Sequence, residues 1–126
     1  MKQPLDADTT ALERLFHEPS RMAILSALCA ASGDLTFTEL KTLTGLTDGN
    51  LSRHLKTLEE AGVIRIRKAF VGVKPRTTVA LTDKGLKRFD DYLSALSEML
   101  RKAKQALASD RRKTADIPAA GRKVVA

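Results

Sequence analysis

Residues 47–64 read TDGNLSRHLKTLEEAGVI. Leu51, Leu55 and Leu58 recur at helical spacing, and Ala61 extends their line. The segment is therefore predicted to be a helix buried along one narrow stripe. Thr47 suits the N-cap, and Gly62 suits the position just past the helix end. The first turn, Asp48-Gly49-Asn50, is made of residue types that favour turns. At about 100° per residue, the side opposite the leucines carries Gly49, Arg53 and Lys56. Asn50, Ser52 and Thr57 flank it, and His54 lies nearer the buried edge. A plain surface helix would also be polar on that side, so the neighbouring segments must decide what the face is for.

Upstream, DLTFTEL (residues 34–40) gives a short extended piece and a new helix start, and a helix over 38–44 is stopped by Gly45. Only Gly45-Leu46-Thr47 separates it from the next helix. A tight glycine-containing connection between two short helices is the helix-turn-helix signature. Downstream the period changes. In VIRIRKAF (63–70), Ile64 and Ile66 face one way and Arg65 and Arg67 the other. RTTVAL (76–81) alternates less cleanly, and VGVKP (71–75) lies between them. This predicts a two-stranded β-hairpin with a basic tip. A ribbon directly after a helix-turn-helix makes a winged helix-turn-helix.

Working outward, a first helix is predicted over about Asp8–Phe16, with Leu12, Leu15 and Phe16 inward. A second starts near Pro19, which fits a first helical turn. It carries Met22, Leu25, Leu28 and Cys29 on one face and ends before Gly33. After Leu81, Thr82 caps a long helix to about Ser109. Residues 110–126 carry charge, Pro and Gly without periodicity and read as a basic disordered tail. The expected fold is mainly α (α+β): a winged helix-turn-helix over 8–81, a long C-terminal dimerisation helix over 82–109, and the tail.

Composition narrows the partner. The 126 residues suit one core, and with one Tyr, four Phe and no Trp that core is expected to be built from Leu, Ile, Val and Ala. No stretch reaches the roughly 18 apolar residues of a membrane span, and the N-terminus does not resemble a secretory signal. The one cysteine, Cys29, cannot form an internal disulfide, and these points favour a reducing, cytoplasmic setting, nucleoid-associated if the partner is DNA. The net charge is +7 and is unevenly placed. Residues 61–80 hold Arg65, Arg67, Lys68, Lys74 and Arg76 with no acid. Clustered positive charge points to a polyanion.

On the helix-turn-helix reading, the second helix enters the major groove of double-stranded DNA and presents base-reading side chains near its start. Arg53 suits a guanine edge and Asn50 an adenine edge, each in bidentate fashion. Ser52 and the N-terminal amides suit a phosphate, and Gly49 permits close backbone approach. Asp48 is the odd member. Phosphate would repel it unless it caps the helix or accepts from a cytosine amino group. His54 is expected either to pack at the helix flank or to contact phosphate. In the hairpin, Arg67, Lys68, Lys74 and Arg76 suit phosphate or minor-groove contacts.

Leu86, Phe89, Leu93, Leu96, Leu100, Ala103 and Leu107 follow a 3, 4 spacing over three heptads. A helix over 82–109 would be about 42 Å long. That exceeds what so small a domain needs for its own core. Its far end needs a partner, either the same helix of a second chain or the chain's own first helix. The first arrangement makes a homodimer and sets two half-sites about one helical turn apart.

The segments HEPSRMAILSAL (17–28), FTELKTLTGLTDGNLSRHLKTLEEAGVI (37–64) and RKAFVGVKPRTTVALTDKG (67–85) together resemble the winged-helix transcriptional regulators of the MarR/ArsR type. Within that type they are most similar to the small stand-alone winged helix DNA-binding domain group. The likeness covers roughly residues 10–100. It implies a dimeric, sequence-specific DNA-binding regulator, with the recognition role on Asp48–Thr57 and the wing role on Arg67–Arg76. The metal-sensing ArsR-like branch has paired cysteines near its recognition helix. Cys29 stands alone in a different helix, so that thiol site is not expected here.

His17 and His54 have no companions that suggest zinc, and Cys29, among Leu28, Ala30 and Ala31, is expected to fill the core. There is no phosphate loop, nucleophile motif or pair of catalytic carboxylates. No enzyme activity, cofactor or metal is expected, and no residue demands a small-molecule effector, although the pattern leaves room for one. Two other readings fit the same residues. One is a winged-helix protein-interaction module working through the long helix. The other is a non-specific nucleoid-type DNA binder favoured by the basic tail.

Overall fold

A computed structural model of the chain describes residues 13–115. The elements, in order, are α1 (Pro19–Ala31), β1 (Leu35–Thr36), α2 (Phe37–Thr44), α3 (Asp48–Glu60), β2 (Ile64–Val71), β3 (Lys74–Leu81) and α4 (Asp83–Ala115). The chain divides into two units, Met1–Leu93 and Ser94–Ala126. The first takes in the start of α4, beyond the boundary expected at residue 81.

Local chemistry accounts for the helix ends. Glu18 N-caps α1, its carboxylate accepting from the amides of Ser20 (3.1 Å) and Arg21 (2.9 Å). Thr36 and Glu39 form a reciprocal capping box at the start of α2. Gly45 ends α2 at φ 72°, a conformation that glycine adopts without strain. Thr47 then caps α3 through the Asn50 amide at 3.2 Å, as its sequence suggests.

The expected hairpin is present within a three-stranded antiparallel sheet of order β1-β3-β2. The extended piece before α2 supplies the third strand, pairing Leu35 with Val79 and Thr36 with Thr78. β2 and β3 are in register from Ile64–Leu81 to Val71–Lys74, which leaves Gly72-Val73 as the loop. The expected basic tip is thus replaced by an apolar loop with Lys74 beside it.

The first unit is packed from three sides. Ile24, Leu25 and Leu28 of α1, Leu40 of α2 and Leu51, Leu55 and Leu58 of α3 are buried. Val63, Ile64 and Val79 bring in the sheet. The wholly aliphatic core expected from composition is not what forms. Phe16, Phe89 and Tyr92 are buried together, with Phe16 edge-on to Phe89 at 5.7 Å between ring centroids. Arg88 stacks over Phe16 at 5.4 Å and binds Glu13 at 2.7 Å. His17 meets the Tyr92 hydroxyl at 2.8 Å.

Several local expectations are corrected. Residues 14–18 form turns and bends before α1. The rest of the predicted first helix, 8–12, lies outside the described residues. On α1, Ile24 takes the inward place, Met22 is half-buried and Cys29 is exposed. The last helix runs past Ser109 to Ala115, and residues 116–126 of the expected tail lie outside the described residues.

In the second unit, residues 94–115 are helical. Arg101 braces this segment by bonding Glu98 (Nε–Oε2 3.0 Å) and Gln105 (3.2 Å). Leu96 is half-buried, whereas Leu100, Ala103 and Leu107 are exposed. None of the described helices is long and apolar enough to cross a membrane.

Candidate nucleic-acid interface

The site is built on α3. Leu51, Leu55 and Leu58 seat it on the core, and Asp48, Gly49, Asn50, Ser52, Arg53, Lys56 and Thr57 are all exposed. Arg53 donates to the Asn50 side-chain oxygen at 3.4 Å, so the two candidate base-reading side chains are held side by side. Thr57 does not project a free hydroxyl, because it donates back to the Arg53 carbonyl at 3.2 Å.

Asp48 finds its partner within the fold. Its carboxylate lies 2.9 Å from Lys41 Nζ, across the turn from α2. As the first residue of α3 it also meets the positive end of the helix. Its negative charge is answered without any contact to DNA.

Of the two places expected for His54, the structure shows packing at the helix flank and not the phosphate contact that would put it with the DNA-binding set. His54 is 5% exposed and lies on the inner side of α3. Arg21 Nη1 donates to His54 Nδ1 at 3.3 Å, and Glu18 Oε2 is 3.7 Å away. Arginine offers only donors, so this bond forms with the neutral ring whose proton is on Nε2 and whose Nδ1 accepts. Burial pushes the His54 pKa down, Glu18 opposes that, and Arg53 and Arg21 reinforce it. Burial also works against ionisation of Glu18. The amides of Arg21 and Ser20, with the charges of His54 when it is protonated and of Arg21, outweigh it and hold that carboxyl below its usual range. Arg21 is fixed further by donating to the carbonyls of Leu15 (2.6 Å) and Arg14 (3.2 Å).

The hairpin divides its basic residues between two faces. Directly paired residues on antiparallel strands project to the same side. The pairs Ile66–Val79 and Lys68–Thr77 therefore share the core-side face, and Arg65–Ala80, Arg67–Thr78 and Ala69–Arg76 share the other. Lys68 borders a groove of about 660 Å³ together with Ser52, Lys56 and Glu59 of α3. The exposed side of α3 and the hairpin thus join along one wall. Lys74 and Arg76 border a second groove against Thr36, Phe37 and Thr38 at the start of α2. Arg65, which lies on the same face as Arg67 and Arg76, is a fifth wing cation that belongs with the four candidates. Its place was signalled by the period-2 alternation of residues 63–67. Among the described residues, Arg53, Lys56, Arg67, Lys68 and Lys74 are not ion-paired.

The long-helix candidates also separate. Phe89 is buried inside its own unit, while Leu86 and Leu93 are exposed on the same segment. Cys29 lines a shallow groove of about 500 Å³ with Leu86, Phe89 and Leu93. Partial burial, aided by the nearby Asp90 charge, pushes its thiol pKa up. Among the described residues, no group of three His, Cys, Asp or Glu side chains could hold a metal ion.

An exposed helix of DNA-reading residue types, two capped ends and an adjoining basic ribbon form one surface suited to a duplex. Comparison with known proteins agrees. The family model for the winged helix DNA-binding domain matches residues 20–100. An uncharacterised protein of Methanocaldococcus jannaschii is 33% identical over 86 residues, spanning 68% of this chain and 92% of that protein. The structure of a transcriptional regulator homologue from Pyrococcus horikoshii OT3 superposes with a TM-score of 0.70 at 26% identity, covering 79% of this chain and 95% of the other. MepR of S. aureus, solved as a DNA complex, has the same fold, with a TM-score of 0.61 at 19% identity over 88% of this chain and 90% of MepR. Family and fold are those of transcriptional regulators and not of enzymes. The chain belongs to the winged helix DNA-binding domain family and is a DNA-binding protein with the fold of the MarR-type regulators.

Proposed function

We propose that the chain is a transcriptional regulator that binds a pseudo-palindromic operator in double-stranded DNA as a homodimer. The observation that carries this reading is the outward face of α3. Asn50, Ser52, Arg53 and Lys56 are exposed there beside a hairpin free of acids, and the leucines behind them are buried. In this reading α3 lies in the major groove, with Arg53 and Asn50 on base edges and Ser52 and Lys56 on phosphate. Lys68, across the shared groove, follows the backbone toward the adjacent minor groove. Arg67, Lys74 and Arg76 do the same from the wing. Each phosphate so neutralised adds a salt-dependent increment to affinity.

Homodimerisation is supported by the second unit. Leu100 is 53% exposed and Leu107 56% exposed along a helix with heptad spacing. Lone exposed leucines are ordinary, but a repeating line of them suits a partner helix. A second copy of the same segment is the simplest partner and gives the two-fold symmetry that a palindrome requires. The MepR–DNA complex shows a protein of this fold on DNA.

The test is selection of bound fragments from genomic DNA with the purified full chain, followed by the mass of the protein–DNA complex. The reading expects enrichment of a symmetric motif and two chains per site. Uniform recovery of all fragments with steep salt dependence would indicate a non-specific binder. No recovery at low salt, with a different protein co-purifying, would indicate an interaction module.

A further inference from the structure

The hairpin tip is the one part of the wing that its cations do not explain. Phe70 is 75% exposed, Val71 54% and Val73 92%. Phe70 pairs with Pro75 and Val71 with Lys74, so these apolar side chains crowd the last rungs and the loop. Loop tips are ordinarily polar, with turn formers that hydrogen-bond their own backbone. Gly72, at φ 65°, supplies the left-handed conformation that closes the two-residue loop. Nothing in the turn requires a valine beside it or a phenylalanine two residues before. The apolar group is rimmed by Lys68, Lys74 and Arg76.

An apolar point inside a cationic collar matches one chemistry well. The DNA minor groove has apolar sugar walls between rows of phosphates, and apolar side chains inserted there unstack base steps. The dimensions agree. Arg76 stands three residues behind Val73, which is about 10 Å of strand. The minor groove is about 7.5 Å deep. The tip can therefore reach the groove floor while Arg76 is level with the phosphates. The groove is also only about 6 Å wide, too narrow for two strands with side chains. Insertion must open it, which is least costly at flexible pyrimidine–purine steps.

We propose that Phe70 and Val73 form an apolar wedge that enters the minor groove beside the site of α3 and bends the duplex, so that the wing reads DNA deformability. This rests on the DNA-binding reading above. Its test uses the full chain on a duplex taken from the genomic selection. Affinity is measured across a salt series and bending by end-to-end energy transfer. The Phe70→Ser/Val73→Ser double variant is expected to bind about ten- to a hundredfold more weakly, the loss given by removing comparable base-stacking aromatics. Its slope of log affinity against log salt should stay unchanged, and its bend should be lost. Phe70→Leu should keep the bend. Lys74→Ala should instead flatten the slope by about 0.9. The three tip residues are exposed, so thermal unfolding of the variants should match the parent. Val73→Ser alone, with a partial loss of bend, serves if the double variant unfolds.

Unchanged affinity and bending in the double variant would overturn the wedge and leave the recognition helix reading intact. Loss of binding accompanied by a change in oligomeric mass would overturn it in favour of a protein contact. Failure of the unaltered chain to bind any duplex would sink the DNA-binding reading itself.

Discussion

Lys41 Nζ and Asp48 Oδ1 lie 2.9 Å apart, closing the turn between α2 and α3 with an ion pair. The pair explains how an acid can sit at the leading edge of the helix proposed to enter the major groove. Both side chains are about half exposed or more, so the bond contributes only about 0–1 kcal/mol to stability. Its larger effect is on charge. Asp48→Asn releases Lys41 and removes a repulsion near phosphate. It should bind duplexes of any sequence roughly threefold more tightly, with the gain shrinking as salt is added. Competition binding at two salt concentrations measures this. A loss confined to one operator position would instead place Asp48 on a cytosine amino group.

Arg53 and Asn50 are held together at 3.4 Å on the exposed face. Losing one frees the other, so the two are not independent. Arg53→Ala should reduce preference for the selected site over random DNA by about 1–3 kcal/mol. Lys56→Ala should weaken both equally. Equal loss on both DNAs for Arg53→Ala would show that Arg53 touches only phosphate. The double variant with Asn50→Ala should cost less than the sum of the two singles.

His54 makes stability depend on pH. Its native pKa is pushed below the ordinary 6.5, chiefly by burial, so the unfolded chain takes up a proton more readily. The associated stability is complete above that ordinary value and is lost as pH falls through it toward the depressed native value. The groups facing the ring are Glu18 and Arg21 from the α1 side and Arg53 from α3. Protonation ends the Arg21 bond to Nδ1 and places two cations together. The melting temperature should therefore fall between about pH 7.5 and pH 5.5, and His54→Gln should flatten that fall. An equal slope in His54→Gln would assign the acid sensitivity elsewhere.

Much of this was legible in the sequence because it is local. The Leu51, Leu55 and Leu58 spacing, the Thr47 cap and Gly62 define α3, and alternation in VIRIRKAF defines the wing. His54 was also readable: 51, 54, 55 and 58 are the i, i+3, i+4, i+7 positions of a buried stripe. Thr36 and Glu39 likewise carry the capping-box spacing. Other features depend on what the fold brings together. Cys29 is four residues from Leu25, a core spacing, but Ile24, Leu25 and Leu28 already close that side. The Asp48 partner lies on the preceding helix, and no spacing rule joins 41 to 48. The aromatic cluster joins Phe16 to residues more than seventy positions away.

Leu100 and Leu107 test the homodimer. Both are exposed within the second unit, so a substitution there disturbs no described packing. Leu100→Asp with Leu107→Asp places charges where a partner helix would bury its own leucines. Sedimentation should show a monomer at concentrations where the parent is a dimer. Affinity for a two-half-site operator should drop far more than affinity for one half-site. An unchanged mass would move the dimer contact off this stripe.

Gly85 decides whether the start of α4 can seat at all. A methyl there would run into the Val63 carbonyl oxygen and come within 2.7 Å of its carbon. The same carbonyl accepts from the Thr82 amide at 3.1 Å. The Thr82 hydroxyl donates to the Gly62 carbonyl at 2.7 Å and accepts from the Gly85 amide at 3.0 Å. This junction therefore ties the end of α3, the base of β2 and the first turn of α4 together. Helix propensity alone would favour Gly85→Ala by about 1 kcal/mol. The clash opposes it with about 1–3 kcal/mol of overpacking, and about 1 kcal/mol more follows if the Thr82–Val63 bond is lost. The obstacle is backbone, which no rotamer change can move, so the upper end applies. Net destabilisation of about 3 kcal/mol is expected in urea unfolding. A variant as stable as the parent would show that α4 can lift from β2 at no cost, and the packing of Phe89 and Tyr92 would then have to be rebuilt on a different seat.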